Sequence, residues 1–266
     1  MSTMKNIITS NKILKALLNM LAIGVFIGLW QLTATIIKSP FFPDVKKVTA
    51  AFIDLVNHGD LEGYSLLTHI EASLIRIGAG FGLACLIGIP LGLLMGLFPA
   101  VYDGSRAVIE PIRYIPPIAW IPLIIVLLRG FSRYVFIIWL GAFFPILINT
   151  LTSIPRVTPV HINVARVHGA DRGYTIRHIV IPSVLPEILA GMRVGLGVGW
   201  MCIVAAEMIG GEMVGLGYLI LKYADMYRME YTIVGMVLIG IIGLIMNEVL
   251  LQIEKRLFKW RWEVVV

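Results

Sequence analysis

The 266-residue chain is 58% hydrophobic and only 14% charged, with a mean hydropathy of +0.89, and these values lie outside the range of water-soluble domains. Its net charge of +6 is scattered between apolar runs rather than grouped with aromatic residues on one basic face, which argues against nucleic-acid binding. Because several spans of about 20 residues each use most of this length, we expect one integral membrane domain and no separate catalytic domain.

The chain begins with one apolar run that is long enough to cross a membrane. Residues 16–37 lie between Lys15 and Lys38 and suffice for a hydrocarbon core of about 30 Å. A cleaved signal peptide is the alternative, but the run is longer than a typical signal and no small-x-small cleavage site closes it. We therefore expect an uncleaved first span, followed at residues 39–71 by an exposed external loop with a short helix.

Five more apolar runs predict five more spans. They lie at about residues 73–98, 117–128, 131–151, 185–209 and 232–252. The run at 117–128 is unusual, because Pro111, Pro116, Pro117 and Pro122 lead into and through it. Proline breaks a helix, and the freed backbone groups are tolerated at membrane depth only against protein or water. We expect a partly broken helix beside the central pathway, and about six spans in total.

The basic residues near the two chain ends set the orientation. Six spans put both ends on one side, and short basic segments stay in the cytoplasm. The cations in question are Lys5, Lys12, Lys15, Lys255, Arg256, Lys259 and Arg261. We therefore predict a multi-pass protein of the cell membrane with both termini in the cytoplasm. The polar interruption at residues 165–186 lies on the cytoplasmic side as well.

Glycines recur at helix-packing spacing in three spans. In lipid, close approach of two backbones is a main source of helix association, so these helices are expected to pack tightly against one another or against a second subunit. The glycines are Gly24 and Gly28, then Gly88, Gly92 and Gly96, then Gly191, Gly195 and Gly199. Both cysteines lie in apolar runs and the five histidines lack zinc-ligand spacing, which predicts neither a disulfide framework nor a metal site.

The polar interruption has the signals of two short helices. The first is followed by a turn at residues 169–171, and Asp171 is placed to cap the second. Pro182 is expected to stop that helix, and Pro186 to lie in the first turn of the next span. Such a stiff elbow is suited to passing force from a cytoplasmic partner into the membrane helices. The alternative is an amphipathic helix that lies on anionic headgroups.

The interruption and its flanks resemble a known family. Ala165, Gly169, Pro182 and Pro186 are spaced as in the coupling loop of permease subunits of bacterial-type ABC importers. The segments EPIRYIPPIAWIPL, GAFFPILINTL, LPEILAGMRVGLGVGW, VAAEMIGG and GLGYLI resemble the nitrate, sulfonate, taurine and bicarbonate importers, most closely those of the taurine type. The resemblance runs from about residue 40 to residue 262. It departs from the family at Asn163, where an acid is usual, and at Ile176, where a large aromatic residue is common.

The resemblance implies an all-α integral membrane protein with the type I ABC importer permease fold and a cytoplasmic coupling-helix loop. It implies a homodimer, a cytoplasmic ABC ATPase dimer that binds ATP and magnesium, and an external solute-binding protein. The coupling-loop candidates are Asn163, Ala165, Arg166, Gly169, Ala170, Asp171, Arg172, Ile176, Pro182 and Pro186. The chain has no Gly-Lys pair and hence no phosphate-binding loop of the G-x-x-x-x-G-K-[ST] kind. We therefore expect no cofactor and no enzymatic activity in this chain.

Three regions follow from this assignment. Residues 1–68 are expected to hold the cytoplasmic N-terminal tail, the first span and the external loop. The permease domain is expected at residues 69–252, and a cytoplasmic basic tail at residues 253–266.

Charged residues inside spans are candidates for the translocation path, because each costs roughly 2.5 to 3.5 kcal/mol on insertion scales. Arg113 or Arg193 offers positive potential to a small anion, and Glu207 is a candidate for shaping the outer gate. The alternative is that Arg193 and Glu207 only reach the two interfaces. The full set of candidates is Arg113, Pro116, Pro117, Arg193, Trp200 and Glu207.

Two classes of transporter remain open from the residues alone. One is the ATP-driven importer permease for a sulfonate, nitrate or bicarbonate type of solute. The other is a stand-alone ion-coupled secondary carrier, which usually shows paired repeats and interrupted helices. No such repeat is visible, so the permease is favoured.

Overall fold

The computed structural model describes residues 2–258, with side chains described from residue 14 onward. Over that range the chain forms eleven α-helices, which agrees with the all-α prediction. They are α1 Ser2–Ile37, α2 Val45–His58, α3 Leu66–Leu97, α4 Pro99–Arg113, α5 Ile121–Leu127, α6 Phe131–Ser153, α7 Pro159–Val167, α8 Arg172–Thr175, α9 Ile181–Ile209, α10 Leu216–Asp225 and α11 Met229–Leu257. The basic residues predicted at 259 and 261 lie outside the described residues.

Five helical segments are long and apolar enough to cross a membrane. They are Leu14–Ile37, Leu66–Leu97, Phe131–Arg156, Arg172–Ile209 and Met229–Leu257. A sixth is formed by α4 together with the segment Pro117–Leu127, which are bent by 84° at the proline-rich junction. The prediction of about six spans, one of them broken, is confirmed over the described residues.

The centre of the bundle is α6, which packs against α3 on one side and α9 on the other. Both neighbours present their glycine stripe to α6. A β-carbon added at Gly92 lies 2.9 Å from the Leu147 carbonyl oxygen, and one added at Gly195 lies 2.9 Å from the Ala142 carbonyl oxygen. The predicted close packing is therefore confirmed for α3 and α9. By contrast, α1 is peripheral, and a β-carbon at Gly24 or Gly28 meets no described atom within 4 Å.

This difference predicts a large loss of stability for glycine-to-valine substitution on α9 and little effect for the same substitution on α1. Gly195→Val places a branched side chain against backbone that cannot move aside, and we expect a loss of about 1 to 3 kcal/mol in stability. Gly24→Val enters open space on α1 and is expected to have little effect. Thermal unfolding of the purified permease in detergent distinguishes the two. Equal melting temperatures for both variants would contradict the packing described above.

The external loop is shorter than the sequence suggests, because α3 begins at Leu66 rather than near residue 73. Ser65 caps this helix through its Oγ, which accepts a hydrogen bond from the Thr68 amide at 3.1 Å. The short helix expected within the loop is α2, capped by Asp44, whose Oδ1 accepts from the Lys47 amide at 2.8 Å. The first two turns of α3 carry polar residues, of which His69 and Ser73 are buried and hydrogen-bonded to partners inside the protein, whereas Glu71 faces outward.

Pro182 does not stop the second short helix, contrary to the prediction. The helix continues from Arg172 to Ile209 through a π-helical turn at Ile176–Val180. In that turn the Ile181 amide donates to the Ile176 carbonyl five residues back. The wider turn just before Pro182 accommodates a residue that has no N–H and whose ring crowds the preceding turn. Pro186 consequently lies inside α9 and is buried, rather than in the first turn of a span.

The bundle has two ends that are chemically different. At one end, Leu97 of α3 packs against Val180 and Val184 beside the polar interruption, and we call this the loop end. At the other end, the start of α3 meets the end of α9 through Arg76 and Glu207, and we call this the far end. The helices α3, α6 and α9 run between the two ends.

Candidate coupling loop and buried polar network

The candidate coupling loop, here residues 159–182 and called the coupling loop below, turns at a glycine in the left-handed backbone region. Gly169 has φ of +82°. Its amide donates to the Arg166 carbonyl at 3.0 Å, and the Ala170 amide donates to the Ala165 carbonyl at 3.0 Å. These two bonds form a Schellman motif, which satisfies the last carbonyls of a helix and favours glycine at this position. The turn that ends α7 is therefore fixed by backbone hydrogen bonds.

Asp171 caps the helix that follows, as the sequence predicts. Its Oδ1 accepts a hydrogen bond from the Tyr174 amide at 2.7 Å. Thr175 adds a second tie, since its Oγ1 donates to the Asp171 carbonyl at 2.8 Å. Hydrogen bonds thus fix both the end of α7 and the start of α8, and they leave the turn between the two helices little conformational freedom.

The loop is mounted on the membrane helices by an apolar cluster. Val180, Val184 and Ile188 are buried together with Val157, and side chains from the end of α3 pack against them. The Arg172 guanidinium also lies over the Phe98 ring, 5.5 Å from its centroid. Because α8, the π turn and α9 are one continuous helical run, a displacement of the loop moves α9 directly.

One face of α7 is apolar and points away from the protein. Val160, Val164 and Val167 recur at a spacing of four and three residues, and Val164 and Val167 are 52% and 84% exposed. Within the described part of the chain this face packs against no buried cluster. Arg166, Arg177 and His178 are exposed in the same loop, and Asn163 is exposed on α7 itself. Ile176, in the π turn, and Pro182, at the start of α9, are half-buried.

A buried polar network occupies the far end of the bundle and is centred on Glu207. The Glu207 side chain is 1% exposed. It accepts hydrogen bonds from Ser73 Oγ at 2.9 Å, from Arg76 Nη1 at 2.7 Å and from the Gly217 amide at 3.0 Å. A carboxylate that is buried at the end of a span is stabilised by this number of donors. These partners hold the Glu207 side chain inside the protein.

Arg76 ties Glu207 to the segment between α9 and α10. Its Nη1 also donates to the Val214 carbonyl at 2.8 Å, and its Nη2 contacts Glu212 Oε2. The guanidinium lies over the Tyr134 ring of α6, 4.2 Å from the centroid. One side chain of α3 therefore contacts α6, α9 and the 210–216 segment.

A second buried pair extends the network along α3. His69 Nε2 lies 3.3 Å from Asp60 Oδ2, and His69 Nδ1 lies 3.1 Å from both the amide nitrogen and the carbonyl oxygen of Gly215. Ser73 Oγ also accepts from the Leu216 amide at 3.0 Å. We use the name Glu207 network for Asp60, His69, Ser73, Arg76, Glu207 and Glu212. Sequence reasoning missed all of its members except Glu207, although the spacing of His69, Ser73 and Arg76 places them on one helix face.

The other path candidates are held by partners of their own. Arg193 pairs with Glu254 of α11 at 3.6 Å, and Trp200 donates its indole N–H to the Ile239 carbonyl at 3.1 Å. Arg113 pairs with Glu110 at 2.9 Å and donates to the Tyr114 hydroxyl at 2.9 Å. Pro116 is exposed and Pro117 half-buried at the bend before α5. The described contacts do not bring these residues into one cluster.

Comparison with known proteins identifies the family. A family model described as "binding-protein-dependent transport system inner membrane component" matches residues 88–259. The chain belongs to this family. This permease is 40% identical to a putative ABC transporter permease protein of Methanocaldococcus jannaschii, over 95% of its own length and 94% of that protein. It is 32% identical to the taurine transport system permease protein TauC of Escherichia coli, over 91% and 89% of the two chains.

Further relatives and a solved structure agree with this family. A bicarbonate transport system permease of Synechocystis is 31% identical over 86% of this chain and 84% of its own. The fold matches that of the MetNI methionine ABC transporter, with a TM-score of 0.64 at 19% identity over 72% of this chain and 95% of that chain. The resemblance seen in the sequence and the type I importer fold are therefore confirmed. The chain is a multi-pass membrane permease subunit of an ABC importer and is not itself an enzyme.

Proposed function

We propose that this permease forms the translocation path for a small anionic or zwitterionic solute and is driven by cytoplasmic ATPase subunits. The coupling loop is the observation that supports this most directly. It is stiff, it is mounted on α3 and α9, and it presents the apolar face of α7 to a partner. In this proposal ATP and Mg²⁺ bind to the ATPase that covers this face, and the permease contributes no nucleotide site.

The mechanical part of the proposal rests on the length and attachment of α9. Its 29 residues form a rod of about 44 Å, with the coupling loop at one end and Glu207 at the other. The Glu207 network ties that far end to α3, α6 and the 210–216 segment. The three helices therefore move as one block, and alternating access comes from the rotation of two such blocks in a homodimer. Closure of the ATPase dimer draws the two coupling loops together and opens the path outward.

The proposed path needs only weak interactions with its solute. Arg113 and Arg193 are half-buried and each faces a carboxylate, Glu110 and Glu254. The positive electrostatic potential that these two arginines offer to an anionic solute is therefore modest. A modest potential favours release of the solute over its retention in the path. We assign Glu207 to the network rather than to the path, because its acceptor sites are occupied by Ser73, Arg76 and Gly217.

The class of solute is supported by the relatives and the orientation by the sequence. The matching proteins include permeases named for taurine, nitrate and bicarbonate transport, all of which carry small anions or zwitterions. Both termini are placed in the cytoplasm by their basic residues, so the loop end is cytoplasmic and the far end external. We propose that an external solute-binding protein selects the solute and delivers it to the far end.

Reconstitution tests the proposal against the secondary carrier. The permease is placed in liposomes alone, then with its ATPase, then with the solute-binding protein and ATP. We expect uptake of a sulfonate, nitrate or bicarbonate only in the complete system, and none driven by an ion gradient. Uptake by the permease alone in an ion gradient would show that it is a carrier of the other class.

A further inference from the structure

Two helices in this permease end in the same motif but with different residues. At the end of α10 the Tyr227 amide donates to the Ala224 carbonyl at 2.9 Å, and the Arg228 amide donates to the Tyr223 carbonyl at 2.9 Å. This is the Schellman pattern seen at α7, with Tyr227 in the place of Gly169. Tyr227 has φ of +59°. The left-handed conformation disfavours every residue with a β-carbon, and glycine or asparagine is usual here.

The strain at Tyr227 is not offset by burial, since its side chain is 72% exposed. Lys38, at the end of α1, is the one other non-glycine residue with positive φ in the described part of the chain, at +49°. Both residues lie at the external end, and Pro40 lines a groove with each of them. Backbone strain that packing does not explain is concentrated at functional positions in proteins.

An exposed aromatic pair lies beside the groove that Tyr227 lines. The rings of Phe41 and Tyr227 meet edge to face with centroids 5.9 Å apart, and Phe41 is 58% exposed. The groove below is lined by Lys47, Asp54 and Glu230 among others. Asp54 Oδ2 accepts a hydrogen bond from the Tyr231 hydroxyl at 2.6 Å. That bond, together with the neighbouring His58, lowers the pKa of the Asp54 carboxyl, so its ionised form is favoured.

The charged residues that line the groove, Lys47, Asp54 and Glu230, indicate which partner binds to the aromatic pair. Carboxyl groups and a lysine around a groove belong in water and not in hydrocarbon, so in the proposed orientation the groove opens to the external aqueous phase. The family is described as binding-protein-dependent, and a binding protein arrives from that phase. Exposed rigid aromatic rings provide large contact area in protein interfaces.

We propose that Phe41 and Tyr227, with the groove beside them, form a docking point for the external solute-binding protein. This inference rests on the proposed function. In this proposal the Tyr227 ring, packed edge to face against Phe41, inserts into the docked partner. This contact is the reason that Tyr227 keeps an unfavourable backbone conformation. The same residue therefore lowers the stability of the permease and raises its affinity for the binding protein.

The test uses the assembled transporter in lipid nanodiscs and the solute-binding protein that supports its ATP-driven uptake. In Tyr227→Gly we expect the melting temperature to rise by about 2 to 4 °C, because the strain is relieved. In the same variant we expect the affinity for the binding protein to fall by about tenfold or more. Phe41→Ala is expected to weaken binding as well, whereas Tyr227→Phe keeps the ring and the affinity.

Phe26→Ala is the matched control, because it removes an equally exposed aromatic ring from the lipid-facing surface of α1. It is expected to leave binding unchanged. If Tyr227→Gly and Phe41→Ala both bind as the unaltered transporter does, the docking point is overturned and the rings serve only as interfacial anchors. If the unaltered transporter does not bind the protein at all, it is the proposed function that fails.

Discussion

Replacing Val164 and Val167 together with aspartate is expected to abolish ATP-driven uptake while leaving the permease folded. Both side chains are more than half exposed and belong to none of the buried clusters of the described chain. The stability of the isolated permease should therefore change little. If the ATPase covers this face as proposed, the new carboxylates are buried unpaired against it, and loss of an interface anchor is expected to weaken binding by about 30-fold or more.

The measurement is paired, since uptake and assembly are followed in the same preparation. Solute uptake is assayed in proteoliposomes, and bound ATPase is quantified after size-exclusion chromatography. The control replaces the same two valines with leucine, which keeps the face apolar and is expected to retain most uptake. Normal uptake by the aspartate variant would show that the ATPase is seated elsewhere.

Removal of either partner of the Arg76–Glu207 pair is expected to have the largest effect on stability of any single change in this protein. The pair is almost fully buried and its atoms are 2.7 Å apart. Truncating one partner leaves an uncompensated charge, which costs about 3 to 5 kcal/mol. Arg76→Ala also releases Glu212 and the Val214 carbonyl, so the 210–216 segment is expected to loosen with it.

Thermal unfolding in detergent, with a double-mutant cycle, checks this prediction. The double variant Arg76→Met with Glu207→Leu should be less destabilised than the sum of the two single changes, because it leaves no fully buried charge unpaired. Glu212 loses its Arg76 partner in the double variant too, but its side chain is 37% exposed and reaches solvent. Arg193→Met is the comparison, since the Arg193–Glu254 pair is longer and partly exposed, and such pairs contribute at most about 1 kcal/mol. Equal melting temperatures for Arg76→Ala and Arg193→Met would refute the importance of the Glu207 network.

The spans and the coupling loop were predictable because their signals are local. Hydropathy over about 20 residues places five spans, and the prolines between Pro111 and Pro122 place the break in the sixth. The turn at Gly169 and the cap at Asp171 depend on residues within four positions of each other. Such features are set by nearest neighbours along the chain, and a sequence displays them directly.

The Glu207 network was not predictable in the same way, because its contacts are long-range. Arg76 and Glu207 are separated by 131 residues, and nothing in either segment alone specifies the other. Hydropathy also counts His69 and Ser73 as polar regardless of the side they face, which is why the start of α3 resembled a loop. The π turn before Pro182 was not predicted for a related reason. A proline in the sequence shows that one backbone N–H is missing, but it does not show whether the preceding turn widens so that the helix can continue.

Site-specific crosslinking in the assembled transporter tests the central claim, that an ATPase is seated on the coupling loop. A photoactivatable residue is placed at Val164 or Val167 of α7, and at Leu21 of α1 as a lipid-facing control. The account predicts a covalent product with the ATPase from both α7 positions, changed in yield when ATP is added, and none from position 21. Products with lipid alone from all three positions would contradict it.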